Sequence, residues 1–258
     1  AALARAKKIN NPKFRYSFDM LGEVACTQAD ADRYFASYNA ALDAMASESD
    51  DADNILAKPS ISVKLSSLHP RYDALHWEDV VPKLSQRLLA LAQKAKACNL
   101  GLTVDAEEAD LLDLSLWIFA AVFNDKSLAN WDGLGLAVQA YQKRAPAVIE
   151  YLTALAKSQN KRIPVRLIKG AYWDSEIKHA QVAGLSDYPV FTKREATDVN
   201  YLYCAKKLLQ ANKFLAAQFG THNAYTAAAV LTMINSMDAA VDFEFQHLHG
   251  MGDALHAQ

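Results

Sequence analysis

Short apolar segments alternate with longer helical segments along the chain, and this alternation is the strongest constraint on its fold. Each of seven strand-like segments is followed by a helix-like segment or by the end of the sequence. This order is typical of parallel βα units. The predicted strands are 14–21, 60–65, 100–105, 133–140, the start of 164–176, 214–219 and 243–248. The predicted helices are 27–45, 77–99, 109–123, 146–157, 174–182, 193–210 and 224–237.

The size of the chain suits one barrel. It has 258 residues, of which 52% are hydrophobic, enough to bury one large core. A single (β/α) barrel is commonly about 250 residues long. We therefore expect an N-terminal arm over residues 1–13 and a barrel domain over residues 14–258.

Composition argues against several classes of protein. A net charge of -2 makes nucleic acid an unfavourable partner. No segment has the roughly 18 consecutive apolar residues of a membrane span, and the first residues are too few and too charged for a signal peptide. The three cysteines show no C-x-x-C spacing, so we expect reduced thiols without disulfide partners in a cytoplasmic protein.

The stretch 164–176, P-V-R-L-I-K-G-A-Y-W-D-S-E, carries the strongest functional signal. Its apolar strand carries Arg166 and Lys169, and Gly170 then lets the backbone approach a ligand closely. Tyr172 and Trp173 follow. One interpretation is the floor of a site for a flat, anionic ligand. The other is a strand end with solvated charges and two aromatic rings that cap a core.

Polar side chains also stand at the ends of most other predicted strands. In a parallel barrel these ends meet on the face that carries the active site. Because buried charge is unfavourable unless it is paired, such a ring favours a functional site. The alternative is a set of mutual salt bridges. The strand-end residues are Glu23, Lys64, Asp105, Gln139, Arg166 with Lys169, Thr221 with His222, and Gln246 with Leu248.

Individual residues at these ends allow more than one interpretation. Lys64 suits a Schiff-base nucleophile, an anchor for a carboxylate (which we favour) or a salt-bridge partner of Asp105. Asp105 could also cap a helix. Gln139 could bind buried backbone groups or the polar edge of a heterocycle, and His222 could meet a phosphate or cap a helix.

Two further features of the sequence favour an ordinary explanation. His247 and His249 invite a metal hypothesis, but no partner stands at a familiar ligand spacing, so we predict no metal. Cys204 lies on a predicted helix and is expected to be buried and inert.

Several motifs closely resemble the proline dehydrogenase domain of the bacterial PutA family of bifunctional flavoenzymes. The resemblance covers nearly the whole chain, in order. The motifs are Y-S-F-D-M-L-G-E (16–23), S-V-K-L-S-S-L-H-P-R-Y (62–72), V-D-A-E-E (104–108), A-Y-Q-K-R (140–144), R-L-I-K-G-A-Y-W-D-S-E (166–176), Y-P-V-F-T-K (188–193), T-H-N-A (221–224) and F-Q-H-L-H-G-M-G (245–252).

The resemblance implies a distorted (βα)8 barrel that holds FAD non-covalently. The implied reaction is the oxidation of L-proline, or a small cyclic analogue, to Δ1-pyrroline-5-carboxylate. A hydride would pass from proline C5 to flavin N5, and the electrons would then pass to quinone. For full-length family members it implies peripheral contact with the inner membrane.

The resemblance also implies a role for each matching residue. The residues implied in catalysis are Asp105, Arg166 and Lys64. Those implied in substrate binding are Lys64, Glu23, Asp105, Leu248 and Tyr172. Those implied in cofactor binding are Ala106, Gln139, Arg166, Ile168, Lys169, Gly170, Ala171, Tyr172, Trp173, Thr192, Lys193, Thr221, His222, Asn223, Gln246, His247 and Leu248.

Among these, Arg166 is expected beside flavin N5, and Lys64 is expected to pair with the proline carboxylate. Thr192, Lys193, Thr221 and His222 are expected to hold the pyrophosphate and ribityl parts of FAD.

The sequence departs from the family pattern at its end. Family members have an eighth strand, and then a helix with a tyrosine and two adjacent arginines that clamp the substrate. The sequence ends at Gln258, before these features. We therefore expect a barrel without its eighth strand and closing helix, in which proline affinity is in doubt. The alternatives are a Schiff-base barrel aldolase that uses Lys64 or Lys169, and a non-catalytic flavin-binding fragment.

Overall fold

The computed structural model describes residues 14–20, 22, 24–47, 54–237 and 240–257. The predicted arm, residues 1–13, and Glu23 lie outside these ranges. Within them the strands are parallel, and their order in the sheet is β1-β2-β3-β4-β5-β6-β7. The strands are β1 (Ser17–Asp19), β2 (Ser60–Val63), β3 (Gly101–Val104), β4 (Leu134–Gln139), β5 (Ile163–Ile168), β6 (Leu215–Gly220) and β7 (Phe243–Gln246).

Helices follow the strands as the alternation predicted. They are α1 (Gln28–Ala46), α2 (Trp77–Ala97), α3 (Leu112–Phe123), α4 (Ala145–Gln159), α5 (Trp173–Val182), α6 (Arg194–Gln210), α7 (Ala224–Asn235) and α8 (Asp253–His256). Short 3-10 turns precede several of them, including one after β2 over Leu65–Ser67.

Contacts divide the chain into two compact units, Ala1–Gly135 and Leu136–Gln258. In the first unit, β2 lies between β1 and β3, with Phe18 beside Ile61 and Ile61 beside Leu102. In the second unit, Val165 of β5 lies beside Leu136 and Ala217. Because the central strands are covered on both sides, they are apolar and buried nearly throughout.

Local sequence explains where several helices begin and end. The side chain of Thr27 accepts a hydrogen bond from the Asp30 amide, and the Asp30 side chain accepts one from the Thr27 amide. This capping box satisfies two amides that α1 would otherwise leave without a hydrogen bond. Helix α4 has Pro146 in its first turn, where the missing N–H does no harm, and ends at Asn160 in the left-handed conformation.

Several predicted boundaries are wrong. Strand β1 is shorter than predicted, and the chain adopts positive φ values at Gly22 (126°) and Val24 (57°) soon after it. Pro82 lies inside α2, where it removes one backbone hydrogen bond. In the apolar helix α3, Trp117 is 52% exposed. The short helix α8 was not predicted.

Candidate active site

In the first unit, Lys64 lies directly after β2 between two carboxylates. Its side chain is 9% exposed, and its Nζ lies 3.0 Å from Asp105 Oδ2 and 3.3 Å from Asp19 Oδ2. Burial by itself lowers the pKa of Lys64, but the charges of Asp105 and then Asp19 outweigh it and raise this pKa above its usual value. The Lys64 side chain is therefore a fixed cation across the physiological pH range.

The backbone of Lys64 is fixed as well. Its amide donates to the hydroxyl of Tyr38 at 3.3 Å, and its carbonyl accepts the hydroxyl of Ser67 at 2.6 Å. Tyr38 is almost completely buried in α1. The turn Leu65–Ser67 thus holds the lysine at the end of β2 with both its main chain and its side chain anchored.

Asp105 continues β3, and its amide donates to the carbonyl of Val63 at 3.0 Å. The alternative in which Asp105 caps a helix is wrong, because the residue that precedes the next turn is Glu108 and the Asp105 carboxylate faces Lys64. The salt bridge between Lys64 and Asp105 is present. Ala106 follows Asp105 in the loop and is half-buried.

Glu107 is a neighbouring carboxylate to which the sequence analysis assigned no function. Its Oε1 accepts the amide of Ser66 at 3.1 Å. Burial raises the pKa of Glu107 to about 7, although hydrogen bonds from Ser66 and the charge of Lys64 act in the opposite direction. A carboxyl group that titrates near neutral pH beside a buried lysine is a common feature of functional sites.

In the second unit, Arg166 lies on β5 within a row of polar side chains. Its Nε donates to Gln246 Oε1 at 2.7 Å, and Gln246 Nε2 donates to Glu244 Oε1 at 2.5 Å. The strand register sets Arg166 beside Gln218, and Gln218 beside Glu244. The Oε1 of Gln218 is buried without a hydrogen-bond partner among the described residues. The row therefore contains a buried hydrogen-bond acceptor, Gln218 Oε1, beside the guanidinium of Arg166.

The turn after β5 is held by β4 and by an aromatic ring. Gln139 is 2% exposed, and its Oε1 accepts the amide of Ala171 at 3.1 Å. The amide of Tyr141 donates to the carbonyl of Lys169 at 2.7 Å. A Cβ atom at Gly170 would lie 2.4 Å from the Tyr141 ring. Gln139 thus binds backbone, which was one of its two interpretations, and Gly170 allows the turn to pass close to the ring.

The residues around this turn are less buried. Lys169 Nζ lies 2.5 Å from Asp198 of α6. The indole of Trp173, which is 44% exposed, donates to the carbonyl of Phe191 at 2.9 Å, and Tyr172 precedes it half-buried. Ile168 is also half-buried, and Thr192 and Lys193 are exposed just before α6.

The ends of β6 and β7 meet through both backbone and side chains. The amide of Thr221 donates to the carbonyl of Gln246 at 3.2 Å, and His222 Nε2 accepts the amide of Leu248 at 2.9 Å. Asn223 caps α7 by accepting the amide of Thr226, so the helix begins directly after these residues. Leu248 itself is 65% exposed.

Four histidines lie near these strand ends. The rings of His247 and His256 stack at 4.5 Å between centroids, and burial followed by the charges of these two residues lowers the pKa of His222. Across the described part of the chain, no group of three or more His, Cys, Asp and Glu side chains could hold a metal ion. His249 lies exposed in the turn after β7.

The structure thus brings predicted residues together within each unit. In the first unit these are Lys64 and Asp105. In the second they are Arg166 with Gln246, Gln139 with Ala171, Thr221 with Gln246, and His222 with Leu248. The side chains that the sequence analysis assigned to no site are Asp19, Glu107, Asp198, Gln218 and Glu244. Gln218 could have been found from its position, because the strand register sets it beside Arg166. Glu244 could have been found as well, because it lies two residues before Gln246 on β7 and so points to the same face.

Comparison with known proteins places these features in a family. The family model described as Proline dehydrogenase matches residues 2–258. The chain belongs to the proline dehydrogenase family. Over 257 residues it is 48% identical to the "Bifunctional protein PutA" of Salmonella typhimurium, and this match covers 100% of this chain and 19% of that protein. It is 25% identical over 252 residues to "Proline dehydrogenase 1" of Bacillus subtilis, which covers 97% of this chain and 71% of that protein.

Solved structures agree with this family assignment. A point variant of Proline Utilization A (PutA) from Bradyrhizobium japonicum is 53% identical, with a TM-score of 0.92 over 99% of this chain and 26% of that one. PutA from Bdellovibrio bacteriovorus, inactivated by N-propargylglycine, is 28% identical, with a TM-score of 0.90 over 98% of this chain and 27% of that one.

The similarity confirms the predicted fold class, a distorted barrel of the proline dehydrogenase type, of which the described residues contain seven parallel strands. The chain spans about a fifth of the length of the curated PutA relatives that it matches.

Proposed function

We propose that this chain catalyses the FAD-dependent oxidation of L-proline to Δ1-pyrroline-5-carboxylate, the first step of proline catabolism to glutamate. A hydride would pass from proline C5 to flavin N5, and quinone would accept the electrons. The observation that supports this most directly is the match of the proline dehydrogenase family model to nearly the whole chain, together with the buried Lys64 at the end of β2 and the half-buried Arg166 on β5.

The residues of the second unit have the chemistry that FAD requires. Its diphosphate needs a cation and a place near helix N-termini. Lys193 provides the cation directly before α6, and Thr221 and His222 lie just before α7. Its ring needs a positive group and polar contacts at its edge. Arg166 and the free acceptor of Gln218 Oε1 supply these. FAD, when bound, supplies the hydride acceptor that no side chain of the protein can replace.

We propose that the other matching residues keep the roles that the resemblance implies. Gln139 and Asn223 would act mainly by shaping the backbone that meets the cofactor, because their side chains bind Ala171 and Thr226. The further residues proposed to border the cofactor are Ala106, Ile168, Lys169, Gly170, Ala171, Tyr172, Trp173, Thr192, Gln246, His247 and Leu248.

At the substrate end we propose that Lys64 binds the carboxylate of proline. Because its pKa is raised, Lys64 offers a permanent positive charge to an anion. Asp105 would hold the ammonium group of Lys64 in place and help shape the proline pocket. Tyr172 and Leu248 would border the substrate. Glu23, which lies outside the described residues, stays a predicted contributor to the carboxylate clamp.

The raised pKa of Lys64 also argues against the aldolase alternative. A Schiff-base lysine must lose its proton to attack a carbonyl, which calls for a lowered pKa. Lys64 has a raised pKa between two carboxylates, and Lys169 forms an ion pair with Asp198. The non-catalytic flavin-binding fragment differs from our proposal only in substrate turnover, so one experiment separates them.

We also propose a cytoplasmic location, with peripheral membrane contact for a full-length protein when it reduces quinone. None of the helices that the structure describes is long and apolar enough to cross a bilayer. The location and the quinone partner follow from the family resemblance.

The visible absorption spectrum of the purified chain tests the proposal. We expect flavin bands that bleach when L-proline is added without oxygen. Flavin bands that persist would favour the non-catalytic fragment. A folded, colourless protein that cannot take up added FAD would refute the proposal, and trapping of a carbonyl substrate by borohydride at Lys64 or Lys169 would support the aldolase instead.

A further inference from the structure

Ser66 joins three loops of the first unit. Its amide donates to Glu107 Oε1 at 3.1 Å, in the loop after β3. Its carbonyl accepts the amide of Ala25 at 2.9 Å, and its hydroxyl oxygen accepts the amide of Val24 at 3.4 Å, in the loop before α1. Ser66 is only 6% exposed. One buried serine therefore holds the loop before α1 against the loop after β3.

The loop before α1 needs such support. Val24 has a φ of 57°, in the left-handed region that a β-branched residue seldom adopts, and Gly22 has a φ of 126°. Strained conformations of this kind persist only where the surroundings hold them, and they concentrate at functional sites. The amides of Val24 and Ala25 both donate to Ser66, so the support for this loop comes through that residue.

Ser66 also lies in the turn that carries Lys64. The turn spans Leu65–Ser67, and Lys64 is the residue that precedes it. Glu107 is thus linked to Lys64 by one hydrogen bond, from the Ser66 amide to the Glu107 carboxylate, and by the two residues of backbone between Ser66 and Lys64. Asp105, two residues before Glu107, holds the lysine ammonium group directly. One loop after β3 therefore fixes both ends of the lysine, its charge and its main chain.

The hydrogen bond between the Ser66 amide and Glu107 should depend on pH, because the surroundings of Glu107 shift the pKa of its carboxyl group. Burial raises the pKa of Glu107 to about 7; the charge of Glu108 acts in the same direction, while Ser66 and Lys64 oppose it. Tyr72, which faces Glu107, has its own pKa raised by burial, so it stays neutral in this range. An ionised carboxylate accepts a hydrogen bond more strongly than a protonated one. The hydrogen bond is therefore strongest above pH 7 and weakens as the pH falls through 7.

We propose that Glu107 is a positioning residue, which fixes the Lys64 anion anchor and the strained loop before α1 by holding Ser66 between them. The part of this proposal that concerns proline rests on the proposed function. The part that concerns loop order does not depend on any ligand.

Hydrogen exchange of the chain without added ligand tests the loop order. In Glu107→Ala we expect amides of residues 24–26 and 64–68 to exchange about tenfold faster than in the unmodified protein, with β5 unchanged. Asp110→Asn removes an exposed carboxylate three residues along the chain and should leave these rates unchanged. Equal protection in the Glu107→Ala protein would overturn the proposal.

Glu107→Gln tests the charge while preserving an acceptor oxygen, and it serves if the alanine variant fails to fold. In the unmodified protein, protection of residues 24–26, corrected for intrinsic exchange, should fall as the pH drops from 8 to 6. In Glu107→Gln this dependence should disappear. A glutamine variant with the pH dependence of the unmodified protein would overturn the proposal.

Steady-state kinetics tests the consequence for proline. Glu107→Ala should raise KM for L-proline about tenfold, change kcat by less than about twofold and leave the flavin content unchanged. An unchanged KM beside faster exchange would overturn the link to Lys64. An unmodified protein that lacks flavin or does not bleach would refute the proposed function instead, and the exchange data would still decide the effect on loop order.

Discussion

The turns after β2 and β5 both present a cation at a strand end, but different forces hold them. The turn after β2 is held by ionisable groups, since Lys64 contacts Asp105 and Asp19 and Ser66 contacts Glu107. The backbone of the turn after β5 is held by the Gln139 amide group, by backbone hydrogen bonds and by close packing on Tyr141, while the ion pair of this turn, Lys169 with Asp198, joins side chains that are partly exposed.

This difference matters for what each turn can do. A turn fixed by charges can respond to pH and to a charged ligand, because each alters the same interactions. A turn fixed by neutral amides and packing keeps its shape across pH but tolerates little added volume. The first arrangement suits the binding of a charged substrate, and the second suits the binding of a large, flat cofactor.

The largest effect is expected from adding volume to the turn after β5. Gly170→Ala places a Cβ 2.4 Å from the Tyr141 ring at a φ of 144°. Backbone strain and overpacking should together lower the free energy of unfolding by about 3 to 5 kcal/mol, as measured by urea denaturation. Gly184→Ala is the matched control, with a φ of 61° and no atom within 4 Å of the added Cβ. It should lose only about 1 kcal/mol, and equal losses would show that packing on Tyr141 is unimportant.

The sequence predicted the βα alternation and most strand ends, because the spacing of apolar residues and the capping residues of helices are local signals. Thr27 and Asp30 illustrate such a local signal, since the capping box that they form spans only four residues. It could not predict that Gln139 would bind Ala171, or that Lys169 would meet Asp198, because those partners are 32 and 29 residues away. The sequence does not distinguish Glu107 from the other carboxylates of V-D-A-E-E, because its partner Ser66 is 41 residues away along the chain.

A smaller loss is expected when charge is removed from the turn after β2. Asp105→Asn removes the charge of a carboxylate that lies 3.0 Å from the buried Lys64 ammonium group and leaves Asp19 in contact with it, so the free energy of unfolding at pH 7 should fall by about 2 kcal/mol, below the value for a fully broken buried pair. Asp19→Asn is the control. The Asp19 side chain is 52% exposed, so this change should lose less than about 1 kcal/mol.

The raised pKa of Lys64 also predicts how this loss of unfolding free energy depends on pH. Because the folded protein raises the pKa of Lys64 above its usual 10.5, the stabilisation is fully present below pH 10.5. It should shrink as the pH rises through the higher pKa of the folded state. Urea denaturation at pH 7 and at pH 9 should therefore give the same difference between Asp105→Asn and the unmodified protein, because Lys64 is charged at both pH values in the folded and the unfolded state. A difference that shrinks between pH 7 and pH 9, or no difference at pH 7, would contradict the ion-pair explanation.

The smallest effect is expected when a charge is brought into the second unit. Gln246→Glu sets a new carboxylate against Arg166 Nε and also against Glu244 Oε1, which Gln246 Nε2 contacts at 2.5 Å. Two adjacent carboxylates raise the pKa of one of them. The folded variant then holds a proton that the unfolded chain releases, so its stability should be highest near pH 5 and lower by about 1 kcal/mol at pH 8. Gln210→Glu, at an exposed position on α6, should show no such slope. If Gln246→Glu has the pH profile of this control, Arg166 neutralises the added charge completely, and the row of polar side chains around Arg166 could be held by charge as readily as the turn after β2.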